Sequence, residues 1–228
     1  MYEFCKIAQL NYYFSIPIAA GSYYFLWNKS EEINIKTILV SIAIIISIKL
    51  LFYLFSLQKT TFKIVTRYLL LIGYIIIPFI ITNYVALGKK GYNPKILISI
   101  LILIWANDTF AYLVGKNFGR NKLFPSVSPK KTIEGFIGGL VFTIISSILL
   151  SKFYIESKIL YIWVVIAIIV SIFSTLGDLI QSKFKRVAGV KDSGKIMPGH
   201  GGILDRLDSI IFVIPFINLF YLILYYVS

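Results

Sequence analysis

An all-α, polytopic transmembrane bundle of about seven spans is the fold class this sequence predicts, with its polar segments gathered on the cytoplasmic face. Three observations predict it. Of 228 residues, 58% are hydrophobic and only 14% are charged, against roughly 25% charged in an ordinary soluble domain. Too little polar surface remains to cover a soluble particle of this size. The apolar residues come in long blocks of about 20, the length a helix needs to cross hydrocarbon. They do not alternate in polarity over about ten residues, as lipid-facing barrel strands would.

In chain order the predicted spans are 11–27, 35–56, 64–86, 96–114, 133–150, 159–180 and 209–227. The first, NYYFSIPIAAGSYYFLW, contains Pro17 and is flanked by aromatics suited to the membrane interface. It lacks a clear small-residue cleavage site and reads as a retained span. No internal repeat or linker is evident. The chain reads as one domain, with amino-terminal membrane helices over 1–95 (about three spans) and a region over 96–228 (about four spans) that carries the polar motifs. Cys5 is the only cysteine, which excludes an internal disulfide or a cysteine metal site.

The net charge is +13. In a soluble chain that would suggest nucleic acid. Here the cations lie between apolar blocks, so lipid head groups or substrate phosphates are the expected partners and nucleic acid is not. Fifteen of the 23 Lys and Arg fall at the amino terminus or after the second, fourth and sixth spans. The positive-inside rule puts those segments in the cytoplasm, and seven spans leave the carboxyl terminus outside. The two long polar segments, 115–132 and 181–208, are both on that face. Non-helical polar backbone is kept where water or protein can satisfy it, so function is expected there.

Six of the ten carboxylates lie in or beside these segments: Asp108, Glu134, Asp178, Asp192, Asp205 and Asp208. A carboxylate at the end of a span is costly unless it faces a partner or water. Asp205 and Asp208, spaced i, i+3 in HGGILDRLDSI, share one face if the last helix starts there. Capping would explain one of them better than both. With Asp178 brought close they make the hard oxygen-donor set that magnesium prefers. His200 is the only histidine, which argues against zinc. The stretch KFKRVAGVKDSGKIMPGHGG mixes cations with glycines, residue types that neutralise phosphate and let backbone approach it. The earlier stretch GKNFGRNKLFPSVSPKKTIEGFIGG has the same character. There, Ser128 or Thr132 followed by Glu134 is expected to start the fifth helix, with Pro129 near its start. Lys130 and Lys131 also suit a basic loop resting on anionic lipid. Neither a Walker-type loop nor a GxGxxG fingerprint is present. These features suggest a magnesium-dependent enzyme acting on a phosphate-bearing substrate. An anion transporter is the rival from another class, and it would be favoured by repeats that the sequence lacks.

Residues 182–208, SKFKRVAGVKDSGKIMPGHGGILDRLD, resemble the signature of the phosphatidate cytidylyltransferase (CDP-diacylglycerol synthase) family. Residues 107–139 resemble a second stretch typical of it. The resemblance covers about 96–228. Met197 stands where the pattern has Ile, Leu or Phe, and Gln181 where similar members commonly have Glu. The chain is also short for the family at its amino-terminal end. The resemblance implies condensation of CTP with phosphatidate to give CDP-diacylglycerol and pyrophosphate in phospholipid biosynthesis. It implies Mg2+, with K+ used as well by some members, a homodimer, and a multi-pass enzyme of the inner cell membrane. Asp178, Asp205 and Asp208 match its metal-site carboxylates. Lys185, Arg186, Lys191, Asp192 and His200 match catalytic positions, His200 either assisting the leaving group or shaping the glycine turn. Ser182, Lys130, Lys131 and Arg206 are the expected substrate-phosphate contacts. The nearest alternatives are related enzymes on another lipid, a CDP-archaeol synthase or a CTP-dependent lipid-alcohol kinase.

Overall fold

The computed structural model describes residues 1–27, 33–56, 62–88, 91–157, 159–196 and 201–227. Among them, six helical segments are long and apolar enough to cross a membrane: Ile33–Phe55, Ile64–Ala86, Pro94–Phe118, Ile133–Ile155, Leu160–Val187 and Leu204–Tyr226. The first predicted span corresponds to helix α2 (Tyr12–Trp27), which has 16 residues and a length of about 24 Å at 1.5 Å per residue. It is preceded by a short helix, α1 (Tyr2–Ile7).

Helix α3 (Ile33–Phe55) is followed by α4 (Ile64–Leu70), which runs through a π-type turn at Leu71–Ile76 into α5 (Ile77–Ala86). Pro78 begins α5. Proline has no N–H to return to the preceding turn and crowds that turn's carbonyl, and the widened turn relieves this. A two-residue hairpin, β1 (Leu87–Gly88) with β2 (Gly91–Tyr92), leads to α6 (Pro94–Phe118). Asn93 caps α6 by accepting from Lys95 N–H, and Pro94 sits where a missing N–H costs nothing.

The next connection is a second hairpin, β3 (Lys122–Phe124) against β4 (Ser128–Thr132). Of the two expected helix starts, Thr132 is the one that caps α7 (Ile133–Leu150), accepting from Gly135 N–H at 3.1 Å, while Ser128 and Pro129 lie within β4. Glu134 does not fold back on the cap. It accepts from Arg120 and Asn121 N–H and from the Asn121 amide, and so ties the start of the hairpin to α7. Helix α7 ends in a π-type turn, Ser151–Ile155.

Helix α8 (Leu160–Val187) is longer than the predicted 159–180. The extra turns form because Lys183, Phe184 and Lys185 are buried against the rest of the bundle. Helix α9 (Leu204–Val227) closes the chain, with Asp205 in its first turn. It is the core of the molecule: Ile211, Phe212, Val213, Ile214 and Ile217 are buried. Around its start, Phe4, Tyr53, Tyr74, Phe184 and Phe212 form a connected aromatic cluster. The outer faces are apolar; Phe52 and Phe153 are more than 70% exposed, as lipid-facing side chains are. Helices α6 and α7 approach so closely that a Cβ on Gly135 would sit 2.7 Å from the Ala111 carbonyl oxygen, and one on Gly139 would sit 2.9 Å from Asn107 Oδ1. Small residues let membrane helices pack backbone to backbone in this way.

Candidate active site

The later parts of α6 and α8, the β3–β4 hairpin and the starts of α7 and α9 surround one cavity of about 550 Å³. Both polar sequence motifs line it. From the first come Asp108, Lys116, Lys122, Lys130 and Lys131, and from the second Asp205, Arg206 and Asp208, with Asp178 of α8 lying just before it. Carboxylates and cations thus line the same cavity.

Two ion pairs involve these carboxylates. Lys131 Nζ lies 2.6 Å from Asp178 Oδ2, joining the β3–β4 hairpin to α8. Ser182, one turn on, donates to Asp178 Oδ1 at 3.3 Å. Lys185 Nζ lies 2.7 Å from Asp205 Oδ1, joining α8 to α9. The other oxygen of Asp205 accepts from Ser193 N–H at 2.8 Å and Gly202 N–H at 3.0 Å. Asp205 therefore holds the turn that precedes α9 as well as Lys185. Gly201 in that turn has φ +84°, and a Cβ there would be 3.0 Å from Asp205 Oδ2, so both conformation and space call for glycine.

Asp208 is buried, and its Oδ1 accepts from Ser209 N–H. It interacts electrostatically with Asp178, Lys185 and Lys131, as Asp108 does with Asp178 and Lys131. Neither Asp108 nor Asp208 has an ion pair among the described residues. Among those residues, too, no group of three or more His, Cys, Asp or Glu stands ready to hold a metal. Asp108, Asp178 and Asp208 nonetheless line one cavity, and they are oxygen donors, the type that a hard divalent ion takes.

The remaining predicted residues are spread around this centre. Arg186, Lys191 and Asp192 are exposed and do not line the cavity; Arg186 donates to the Val190 carbonyl at 3.3 Å. Asp192 packs near Gly201. His200 lies outside the described residues.

Three polar residues were missed by the sequence reading. Asn107 is buried, donates to Ser174 Oγ at 3.0 Å and accepts from Ser171 Oγ at 2.7 Å, which ties α6 to α8 beside Asp108. An amide inside an apolar block is a signal in itself. Lys183 is buried and donates to the carbonyl oxygens of Tyr53, Leu54 and Ser56, closing the end of α3. It continues the helical stripe of Leu176 and Ile180 and so occupies a core position. Glu3 is buried against the turn before α9, and only its isolation in an apolar segment could have marked it.

Comparison with known proteins places the chain among relatives. The family described as "Cytidylyltransferase family" matches residues 1–224. The phosphatidate cytidylyltransferase of Staphylococcus saprophyticus is 38% identical over 204 residues, 90% of this chain and 73% of that protein. Those of Staphylococcus haemolyticus and Staphylococcus aureus strain COL are 51% identical over 118 and 120 residues. Each of these two alignments covers 52% of this chain and 45% of the relative.

Proposed function

This chain belongs to the cytidylyltransferase family, and from that premise we propose that it transfers the cytidylyl group of CTP to phosphatidate, forming CDP-diacylglycerol and pyrophosphate. The observation that carries the reading is the Lys131–Asp178 pair at 2.6 Å. It joins the first family motif to α8, the helix that leads into the second, at a single cavity lined by cations and carboxylates.

In the reaction a phosphatidate phosphate oxygen forms a bond to the α-phosphorus of CTP. The bond from that phosphorus to the β-phosphate's bridging oxygen breaks, and pyrophosphate leaves with the electron pair. A phosphomonoester is already an anion near neutral pH, so no strong base is needed. The obstacle is repulsion between two anions. Lys116, Lys122, Lys130, Lys131 and Arg206 line the cavity and would neutralise and align the phosphates, a largely electrostatic task. Lys185, anchored by Asp205, would hold its charge at a fixed place near Asp178 and Asp208. Arg186, Lys191 and Asp192 would act at the outer edge, where the nucleotide enters from water. Asp178 and Asp208, with Asp108, would hold Mg2+, with Asp205 beside them holding Lys185. Bound there, the ion would supply charge neutralisation and polarisation of phosphate oxygens.

The reading extends to topology. Lys183 places the end of α3 on the same face as the cavity, and the contacts of Phe4 with Tyr74 and Phe184 place α1 there too. The chain between α1 and the start of α3 would then have to reach the far face, which supports α2 as a seventh pass. We take the cavity face as cytoplasmic, the membrane as the inner cell membrane, residues 96–228 as the catalytic region, and the enzyme as a homodimer.

The experiment is a transfer assay in detergent micelles with Mg2+, with and without K+, using CTP labelled on the α-phosphorus. Label in the lipid fraction with equal pyrophosphate release is expected. Label reaching lipid only from the γ-phosphorus would make the protein a kinase, and no labelled lipid with any acceptor would refute the reaction.

A further inference from the structure

The start of α9 is capped from the opposite end of the chain. Glu3, in α1, is 4% exposed. Its carboxylate accepts from Leu204 N–H at 2.7 Å, Ile203 N–H at 3.0 Å and the Ser193 hydroxyl at 2.9 Å. Bonds to an ionised acceptor are among the stronger hydrogen bonds, and negative charge is favoured where helical N–H groups point. The turn is shaped around this carboxylate. A Cβ on Gly194 would lie 2.5 Å from Glu3 Oε1, and one on Gly202 would overlap Ser193 Oγ and lie 2.5 Å from Glu3 Oε2.

Asp205 grips the same turn from its other side, through Ser193 N–H and Gly202 N–H. Ser193 therefore links two carboxylates, with its N–H on Asp205 and its hydroxyl on Glu3. Asp205 in turn carries Lys185. Docking of α1 does not depend on this contact, because Phe4 and Cys5 are buried and Phe4 packs edge-on to Phe184. The Glu3 carboxylate is left to organise the turn. It does not line the cavity, so any effect on chemistry passes through the residues it holds.

We propose that Glu3 is a positioning residue for the transfer reaction: it fixes Ser193 and the 201–204 turn, and through them the Asp205–Lys185 pair beside Asp178 and Asp208. The inference rests on the reaction proposed above. Misplacement of catalytic groups by a fraction of an ångström to one ångström costs rate rather than ground-state binding.

Glu3→Gln puts an N–H2 donor where an oxygen now accepts, and loses at least one of the three bonds. In the full chain, the expected result is a kcat lower by about tenfold to a hundredfold, with KM for CTP near that of the unaltered protein. Glu3→Asp should recover part of the rate. Ser193→Ala should lose less than Glu3→Gln and add little to it, as coupled residues do. Amide hydrogen exchange should speed up at Ser193 and over 201–204, and not in the other helices. Unchanged kcat in Glu3→Gln, or exchange that speeds up across the whole chain, overturns the proposal. If the unaltered protein transfers no cytidylyl group, the reaction itself fails. The exchange measurement then still decides whether Glu3 holds the turn.

Discussion

Lys131 and Asp178 meet at 2.6 Å across the seam between the β3–β4 hairpin and α8. Their side chains keep 27% and 35% of their exposure. A pair this accessible contributes about 1 kcal/mol or less to stability. Both residues line the cavity, so in the proposed reaction, where substrate phosphate would compete for the lysine, the pair would serve chemistry instead.

Substituting these two should therefore separate activity from stability. Asp178→Asn is expected to lower kcat by at least about a hundredfold, in the range seen when one charge-stabilising group is removed, and to raise the Mg2+ concentration needed for half-maximal rate. Lys131→Met should raise KM for a phosphate substrate more than it lowers kcat. Both should melt within a few degrees of the unaltered protein, as followed by thermal unfolding in detergent. Near-normal rates in Asp178→Asn would remove it from the metal site.

The Lys185–Asp205 pair should behave differently, since its side chains are only 11% and 12% exposed. Asp205→Asn leaves a buried ammonium without its partner, at a cost of about 3 kcal/mol, and is expected to abolish turnover while folded protein remains in the membrane. The double variant Asp205→Asn with Lys185→Met should regain much of the stability and none of the activity. Recovery of activity in the double variant would show that the pair serves only the fold.

Gly135→Ala tests the close approach of α6 and α7. Its Cβ would stand 2.7 Å from the Ala111 carbonyl oxygen and 2.9 Å from Thr132 Oγ1, and it cannot be absorbed without separating the helices or displacing the cap. A loss of about 1–3 kcal/mol is expected, as for other overpacked sites. Because Gly135 and Ala111 both line the cavity, KM should change as well. Gly21→Ala, with nothing within 4 Å of the new Cβ, is the neutral control in the same unfolding measurement.

Asn107→Leu removes the amide that joins α6 to Ser171 and Ser174 of α8. Interhelical hydrogen bonds in membranes average about 0.6 kcal/mol and reach about 1–2, so the stability loss should be small. The loss of rate should be larger, because Asn107 also donates to Asp108 at 3.5 Å. A variant with full activity would show that Asp108 is placed without it.

The existence and order of six long helices were legible in the chain, with ends several residues off at α8 and α9, as was the gathering of polar residues into two segments. The first reading failed where contacts decide. Pro129 resembles a helix-start proline until β4 pairs with β3 and Thr132 becomes the cap. Lys183 was counted among the loop cations, yet it is buried against the carbonyls that end α3. The clasp that Asp205 makes on the turn before α9 has no mark in the sequence either.

By itself the sequence determined the membrane class, the order of the long helices and the chemistry of the two motifs. Each of these is a local property: hydrocarbon accepts only long apolar blocks with their backbone bonds closed within the helix, and a motif keeps its spacing wherever it folds. Only the tertiary structure decided which charge meets which. Lys131 with Asp178, Lys185 with Asp205 and Glu3 with the turn at Ser193 are contacts between residues remote in sequence. A buried charge is stable only where packing delivers its counter-charge or donors. No local pattern records that delivery, because it depends on how α1, α6, α7, α8 and α9 pack together.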